Sequence, residues 1–228
     1  MTKLYPCLLF LVFTASASFA QTTTEPTMAK QLQAYKNLYR LADSLNKLGQ
    51  LYTADSAVVE KARLLDKEHP EKYFEAIGEW LKESKYNDAA FLYHVGITRY
   101  RYYNAVNPDY QTSGDGALLA SLEYIYGEAI NPYLRTNIDN FISVLKAAGD
   151  YCARNDYAFY PKAKNPARYD TLVTGYTHMI QILETNREKY RKQWDDERAQ
   201  LMKNIDGQID AYNKMSPAEK QQADNGNW

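Results

Sequence analysis

The chain has 228 residues and a formal net charge of −1, with 27 basic and 28 acidic side chains. Because there is no basic excess to neutralise phosphate groups, the composition argues against a nucleic-acid partner. Tyrosine is frequent, with 21 residues against 7 phenylalanines. An apolar ring with a polar tip suits partly hydrated helix interfaces, and it suits binding grooves equally well.

The first twenty residues predict a secretory signal peptide. Lys3 precedes an apolar run from Leu8 to Phe13, and the small residues Ser18 and Ala20 close the segment. The run is too short to anchor the chain in a membrane, and cleavage near Ala20 is expected to start the mature chain at Gln21. We therefore expect a secreted or periplasmic protein.

The mature chain would keep a single cysteine, Cys152, which cannot form an intramolecular disulfide. We expect Cys152 to be a small apolar core residue on a helix, because a catalytic thiol would need a histidine base close by. No apolar run after the signal peptide approaches the roughly 18 residues that span a bilayer. A transmembrane segment is therefore not expected in the mature chain.

Helical periodicity begins at Met28, after a polar and flexible start over residues 21–27. Apolar residues then recur at three- and four-residue steps, and Gly49 ends the first predicted helix. A second predicted helix stops at His69–Pro70, because the residue before a proline is disfavoured in helical geometry. A third spans Glu71–Lys85.

A fourth predicted helix runs from about Asn87 to Ala105. Residues 89–97 are apolar nearly all round, which is typical of a helix in the centre of a bundle. The alternating arginines and tyrosines of residues 99–102 resemble a strand, but no helix breaker precedes Asn107–Pro108. The pattern therefore predicts one long helix, followed by a loop of turn-forming residues.

The rest of the chain continues the helical pattern. Helices are predicted from Ala117 to about Tyr126 and from Ile138 to Ala153, with a connection between them. A periodic stripe over residues 173–212 fits either one long helix or two helices separated by a capping box at Thr185–Glu188, and we favour the break. Residues 215–228 are predicted to be a disordered tail.

No segment has the pattern of a strand. The sequence predicts an all-α fold, an irregular helical bundle of about seven or eight helices with a long C-terminal helix or helix pair. A single helical domain is expected over residues 28–214.

Residues 75–96, "EAIGEWLKESKYNDAAFLYHVG", resemble one tetratricopeptide or Sel1-like helical hairpin. Trp80 stands where such repeats carry an aromatic residue, and the expected offsets are matched by Tyr86, Ala89, Tyr93 and Gly96. The resemblance covers about a tenth of the chain, and no second copy follows at a 34-residue step. It implies a helical scaffold that binds peptides or proteins.

Sequence motifs for common catalytic chemistries are absent. There is no HExxH, CxxC, P-loop or GxSxG motif. The three histidines, His69, His94 and His178, do not have the spacing of metal ligands. We therefore expect no cofactor and no metal ion.

The sharpest candidate ligand site lies on the fourth helix. His94, Thr98 and Arg101 are at i, i+4 and i+7, which places them on one face, and the following loop could bring Asp115 over them. Arg99 points elsewhere, so the two arginines should not clamp one ligand. Either the face binds a small anion or carboxylate, or it holds a structural ion pair beside a hydrogen-bonded histidine. We favour the structural interpretation.

Three functions remain open. The favoured one is an exported, non-catalytic helical protein that binds another protein or peptide, which includes inhibitor and immunity-type roles. The second is an enzyme or small-anion receptor that uses the His94/Arg101 face, and the third is a structural protein that self-associates through its C-terminal helix. A binder should expose an aromatic patch, a catalytic site should bring His94, Arg101 and Asp115 together, and a self-associating protein should expose the C-terminal stripe.

Overall fold

The computed structural model describes residues 28–224, which fold into α-helices without a strand. The helices are α1 (Met28–Lys47), α2 (Ser56–Leu65), α3 (Glu71–Lys82), α4 (Tyr86–Val106), α5 (Ala117–Leu134), α6 (Ile138–Arg154), α7 (Pro166–Thr185), α8 (Arg187–Asn213) and α9 (Pro217–Asp224). A π-helical turn, Thr112–Gly116, precedes α5, and a 3₁₀ turn, Lys162–Lys164, precedes α7. The predicted all-α helical bundle is confirmed. The predicted signal peptide and flexible start lie outside the described residues.

The described chain divides into two compact units. The larger comprises residues 38–199, and the smaller comprises residues 28–37 together with 200–224. Helices α1 and α8 have residues in both units. The single domain predicted over residues 28–214 stays a prediction.

Helix α4 is the centre of the larger unit, as its apolar sequence predicts. It packs against α2, α3, α5, α6 and α7, and every residue from 89 to 96 is buried. Gly96 lets α3 approach α4 closely, since a Cβ atom at this position would lie only 2.7 Å from the Cβ of Tyr73 on α3. The segment that resembles a repeat hairpin thus forms a tightly packed helix pair.

Local capping signals set several helix ends. Gly49, two residues after the end of α1 at Lys47, has a φ of 65°, which is the left-handed conformation that commonly ends a helix. The Asp55 carboxylate accepts a hydrogen bond from the Val58 amide at the start of α2. The Asn137 side chain accepts hydrogen bonds from two amides in the first turn of α6.

Helix α5 is longer than the sequence predicts. It was expected to end near Tyr126, but it continues through Pro132 to Leu134. Tyr133 and Leu134 are buried, and the Tyr133 hydroxyl donates a hydrogen bond of 3.1 Å to the Asn87 side chain. These tertiary contacts outweigh the missing amide hydrogen of the proline.

The C-terminal segment is a pair of helices, as the favoured alternative predicts. Helix α7 ends at Thr185 and α8 begins at Arg187, with Asn186 between them. Further on, the structure differs from the predicted disordered tail, because Pro217–Asp224 forms α9. The Asp224 carboxylate accepts hydrogen bonds from the Met28 amide and the Tyr212 hydroxyl, which ties α9 into the smaller unit.

Candidate functional site

His94, the first predicted site residue, is buried in α4. Its Nε2 atom has no hydrogen-bond partner among the described residues, so the expectation of a hydrogen-bonded histidine is wrong for this atom. Burial, followed by the positive charge of Arg101, lowers the pKa of the imidazole to about 4. The ring is therefore neutral at physiological pH.

Thr98 is occupied by an internal contact. The Tyr176 hydroxyl donates its only hydrogen to the His94 carbonyl oxygen at 2.8 Å. Because that hydrogen is used, the Thr98 hydroxyl, 2.8 Å away, must donate to the Tyr176 oxygen. Thr98 and the His94 backbone thus join α4 to α7.

Arg101 and Asp115 contact different neighbours. The Arg101 side chain is about half exposed and forms an ion pair with Glu123 of α5, with 2.9 Å between Nη2 and Oε1. Asp115 lies in the π-helical turn, where its negative charge acts on Tyr100 and Tyr103. The Tyr176 hydroxyl therefore connects the His94 backbone to the Thr98 side chain. Asp115 acts on Tyr100 and Tyr103, which are not among the predicted site residues.

The buried ion pair of α4 involves Arg99, whereas the sequence placed it at Arg101. Arg99 is fully buried, and its Nε and Nη2 atoms lie 2.7 and 3.1 Å from the two oxygens of Asp66. Asp66 directly follows α2 and is only 3% exposed. Sequence reasoning missed Asp66, since nothing in its local pattern marks it as the partner of a distant arginine.

Tyrosine hydroxyls complete this pair. Tyr73 and Tyr151 donate hydrogen bonds of 2.8 and 2.7 Å to the two oxygens of Asp66. The hydroxyl of Tyr169 accepts a hydrogen bond from Nη1 of Arg99. A buried charge pair with this many partners is typical of a structural element. We call these five residues the Arg99 network.

Cys152 is buried in α6, as predicted for a core residue. Burial raises the pKa of its thiol, and the sulfur lies 4.0 Å from the Tyr176 hydroxyl. A thiol in this setting stays protonated, which disfavours a nucleophilic role.

An aromatic patch lies on the surface where α4 meets the segment that precedes α7. We define it as His69, Tyr103, Phe159 and Tyr160. The ring centroid of Tyr103 lies 4.9 Å from His69, 6.1 Å from Phe159 and 5.2 Å from Tyr160. Phe159 is 41% exposed, and the other three rings are partly exposed. The rings therefore form one continuous surface.

Two hydrogen bonds hold this surface in place. The Phe159 amide donates to the Asp66 carbonyl oxygen at 2.8 Å, and the buried Tyr157 hydroxyl donates to the Glu68 carbonyl oxygen at 3.0 Å. On the outer side, the Lys164 ammonium lies 4.0 Å from the ring centroid of Tyr160. The patch is thus fixed to the end of α2.

Two buried oxygen atoms of α4 lack hydrogen-bond partners among the described residues. Tyr100 is fully buried, and its ring lies 5.6 Å from His69 and 6.1 Å from Tyr103. Neither its hydroxyl nor the Oδ1 atom of Asn104 has a hydrogen-bond partner in the described part of the chain. Buried polar atoms are normally satisfied, so this pair is a departure that needs a reason.

A separate pocket of about 200 Å³ lies at the start of α6. It is lined by Asn46, Arg135, Thr136, Asn137, Ile138, Asp139, Arg191, Trp194 and Asp195. Its two arginines are matched by two aspartates, and Arg191 also pairs with Glu188 at 2.9 Å. The lining therefore has no excess charge that would select a charged ligand.

The periodic stripe over residues 173–212, which we call the C-terminal stripe, consists largely of buried or half-buried residues. Tyr176 and Leu183 are buried on α7, as are Ile205 and Tyr212 on α8. Helices that self-associate through a seam would leave these positions exposed in the monomer.

Within residues 28–224, no cluster of three or more histidine, cysteine, aspartate or glutamate side chains is arranged to hold a metal ion. None of the helices in that range combines the length and apolar character needed to cross a bilayer. Comparison with known proteins found no matching family model, no matching curated protein and no matching solved structure.

Proposed function

We propose that the protein is an exported, non-catalytic helical protein that binds another protein or peptide through its aromatic patch. The observation that carries this proposal is the continuous set of four rings, with Phe159 41% exposed. Aromatic side chains are enriched at the energetic centres of protein interfaces, because they bury a large area with few rotatable bonds. A secreted or periplasmic location rests on the predicted signal peptide.

The internal contacts of the predicted site residues favour binding over catalysis. Thr98 forms a hydrogen bond with Tyr176, and Arg101 forms an ion pair with Glu123. The negative charge of Asp115 raises the pKa of Tyr103 instead of acting at His94. An enzyme or small-anion receptor would need these groups to converge on one reacting atom or anion. The covered C-terminal stripe likewise gives less support to self-association.

Site-specific photo-crosslinking tests the proposal. A photoreactive phenylalanine analogue replaces Phe159 in one variant and Tyr124 of α5 in a control, since Tyr124 is 58% exposed and lies outside the patch. Each variant is irradiated with the exported fraction of the native host. We expect a discrete protein or peptide adduct from position 159 and none from position 124.

Two results would contradict the proposal. One is the absence of any adduct at position 159, or equal labelling at both positions. The other is a catalytic turnover in the purified protein that is lost in the His94→Leu variant.

A further inference from the structure

The segment that carries the most exposed ring of the aromatic patch has charges of one sign only. Residues 157–169 contain three basic side chains and no acidic one. The basic residues are Lys162, Lys164 and Arg168, and all three are exposed. None of them forms an ion pair within the described part of the chain, whereas Arg154, just before this segment, pairs with Asp150. The three positive charges are therefore available to an anionic partner.

Neighbouring groups leave this positive charge in place. One carboxylate oxygen of Asp156 accepts hydrogen bonds of 2.8 Å from the amides of Tyr157 and Lys162, which holds it on the backbone. After the segment, Asp170 forms no ion pair among the described residues. Helix α7 begins at Pro166 without an acidic side chain in its first turn, so the positive end of its dipole adds to the charge of the lysines.

Hydrogen bonds hold this segment in a fixed conformation, although it lies mostly outside the α-helices. The Tyr102 hydroxyl donates to the Pro161 carbonyl oxygen at 3.0 Å and accepts from the Asn165 amide at 3.1 Å, on either side of the 3₁₀ turn. The Lys164 ammonium lies 4.0 Å from the ring centroid of Tyr160, which places a positive charge directly beside the rings. A surface that is ordered before binding loses little conformational entropy when a partner docks.

The charges are distributed unevenly along the aromatic patch. At the His69 end, the Glu71 carboxylate lies 3.9 Å from the Nδ1 atom of His69. At the Tyr160 end, Lys162 and Lys164 follow in the chain within four residues. Complementary charge therefore favours carboxylates of a partner at the Tyr160 end, with an apolar side chain on the rings.

We propose that the aromatic patch binds an acidic segment of the partner, with an apolar side chain on Phe159 and Tyr160 and carboxylates paired with Lys162 and Lys164. The rings supply contact area, and the lysines supply specificity and speed of association. An anionic lipid surface is wide enough to meet the acidic end at Glu71 as well, whereas a peptide segment can contact the basic end alone. This inference rests on the proposed function and specifies the chemistry of the partner.

A peptide titration tests the inference. The probes are N-acetyl-Glu-Glu-Phe-Glu-Glu-amide, its twins with glutamine or lysine at every glutamate, and a twin with alanine in place of phenylalanine. Binding to the mature chain, from Gln21, is measured by NMR from the backbone amides of residues 156–170. We expect the glutamate peptide to bind about tenfold more tightly than the glutamine twin, with a smaller difference in high salt. The alanine twin should bind about tenfold more weakly, because the ring contact is lost.

Matched variants connect this preference to the named lysines. Lys162→Gln/Lys164→Gln should weaken binding of the glutamate peptide about tenfold and leave that of the glutamine twin unchanged. Lys189→Gln/Lys192→Gln removes the same charge from exposed positions of α8 and should leave both affinities unchanged. Melting temperatures check that every variant is folded.

The Phe159 crosslink connects the peptides to the native partner. Mass spectrometry of the adduct identifies the crosslinked segment, which should contain more aspartate and glutamate than lysine and arginine. The yield of the adduct should fall at least about fivefold in the Lys162→Gln/Lys164→Gln background, because the carboxylates lose their counter-charges. The Lys189→Gln/Lys192→Gln background should keep the full yield.

The possible outcomes separate this inference from the proposed function. Equal binding of the glutamate and glutamine peptides, no measurable binding of the glutamate peptide, or wild-type affinity in Lys162→Gln/Lys164→Gln would overturn the inference. Binding to phosphatidylglycerol vesicles, lost in that variant and accompanied by no binding of the glutamate peptide, would assign the lysines to a lipid surface. If the Phe159 adduct forms while the charge preference is absent, only the inference fails; if the adduct is absent, the proposed function fails as well.

Discussion

Arg99 and Tyr100 are adjacent on α4, equally buried, and entirely different in how their polar atoms are satisfied. Arg99 meets both oxygens of Asp66, the Tyr169 hydroxyl and a backbone carbonyl. The Tyr100 hydroxyl meets no partner among the described residues. Two equally buried groups of one helix can therefore differ completely in how well their polar atoms are hydrogen-bonded.

The difference also separates two sides of one helix. The side that carries Arg99 faces the interior, where the Tyr73 and Tyr151 hydroxyls and the Arg99 guanidinium share the two oxygens of Asp66. On the other side, the Tyr100 ring lies 6.1 Å from Tyr103 of the aromatic patch. The hydrogen bonds of the buried charge pair are thus complete, whereas those of Tyr100 and Asn104 are not.

The largest expected effect concerns the Arg99 network. Asp66→Ala leaves the Arg99 guanidinium buried without its counter-charge, so the free energy of unfolding should fall by about 3–5 kcal/mol. Urea denaturation measures this. Asp150→Ala is the control, since the Asp150 side chain is 67% exposed in its pair with Arg154 and should cost less than about 1 kcal/mol. If the two variants lost a similar free energy of unfolding, the buried Arg99–Asp66 pair would contribute no more than the exposed Arg154–Asp150 pair.

The next effect concerns His94 and depends on pH. The pKa of His94 in the folded protein, about 4, lies below the ordinary histidine value of 6.5, so the unfolded chain binds more protons across this window. Acidification from pH 6.5 to 4 should therefore lower the free energy of unfolding by at most about 3 kcal/mol more in wild type than in His94→Leu. The comparison of the two pH profiles cancels other titrating groups. Parallel profiles would show that His94 does not lose its proton on folding.

A pair of isosteric changes compares the two sides of α4 directly. Tyr151→Phe removes a donor to Asp66 and should lower the free energy of unfolding by about 1–3 kcal/mol. Tyr100→Phe removes an unpartnered hydroxyl and should change stability by no more than about 0.5 kcal/mol. Chemical denaturation of both variants provides the test, and an equal loss would mean that Tyr100 is satisfied in solution.

A small effect is also expected at the ion pair between Arg101 and Glu123. Arg101→Gln disrupts the pair with Glu123, and the loss should be about 0.2–1 kcal/mol and shrink in high salt. A double-mutant cycle with Glu123→Gln isolates the pair from other effects. A coupling well above this range would place Arg101 in the same structural class as Arg99.

Local patterns in the sequence predicted the fold well. The apolar run at residues 89–97 was sufficient to place α4 in the centre, and the signals around Asn186 were sufficient to split α7 from α8. Such features depend on neighbours within one or two helical turns. The end of α5 was missed, because Tyr133 is held by Asn87 from another helix.

The candidate site was less accessible to sequence reasoning. Helical spacing correctly separated Arg99 from Arg101, but it could not reveal that Asp66 pairs with Arg99. The aromatic patch combines His69, Tyr103 and Phe159 from three separate segments. Its only trace in the sequence is the excess of tyrosine, which is shared by the interior and the surface.

The hydrogen bond from the Phe159 amide to the Asp66 carbonyl oxygen has a consequence for the order of assembly. It joins segments that are far apart in the chain, and contacts of this kind close large loops and depend on prior collapse. The same Asp66 carries the counter-charge of Arg99, so the most exposed ring of the patch is fixed only when the interior is complete. Under the proposed function, recognition of a partner through this patch would therefore begin only after the interior has folded.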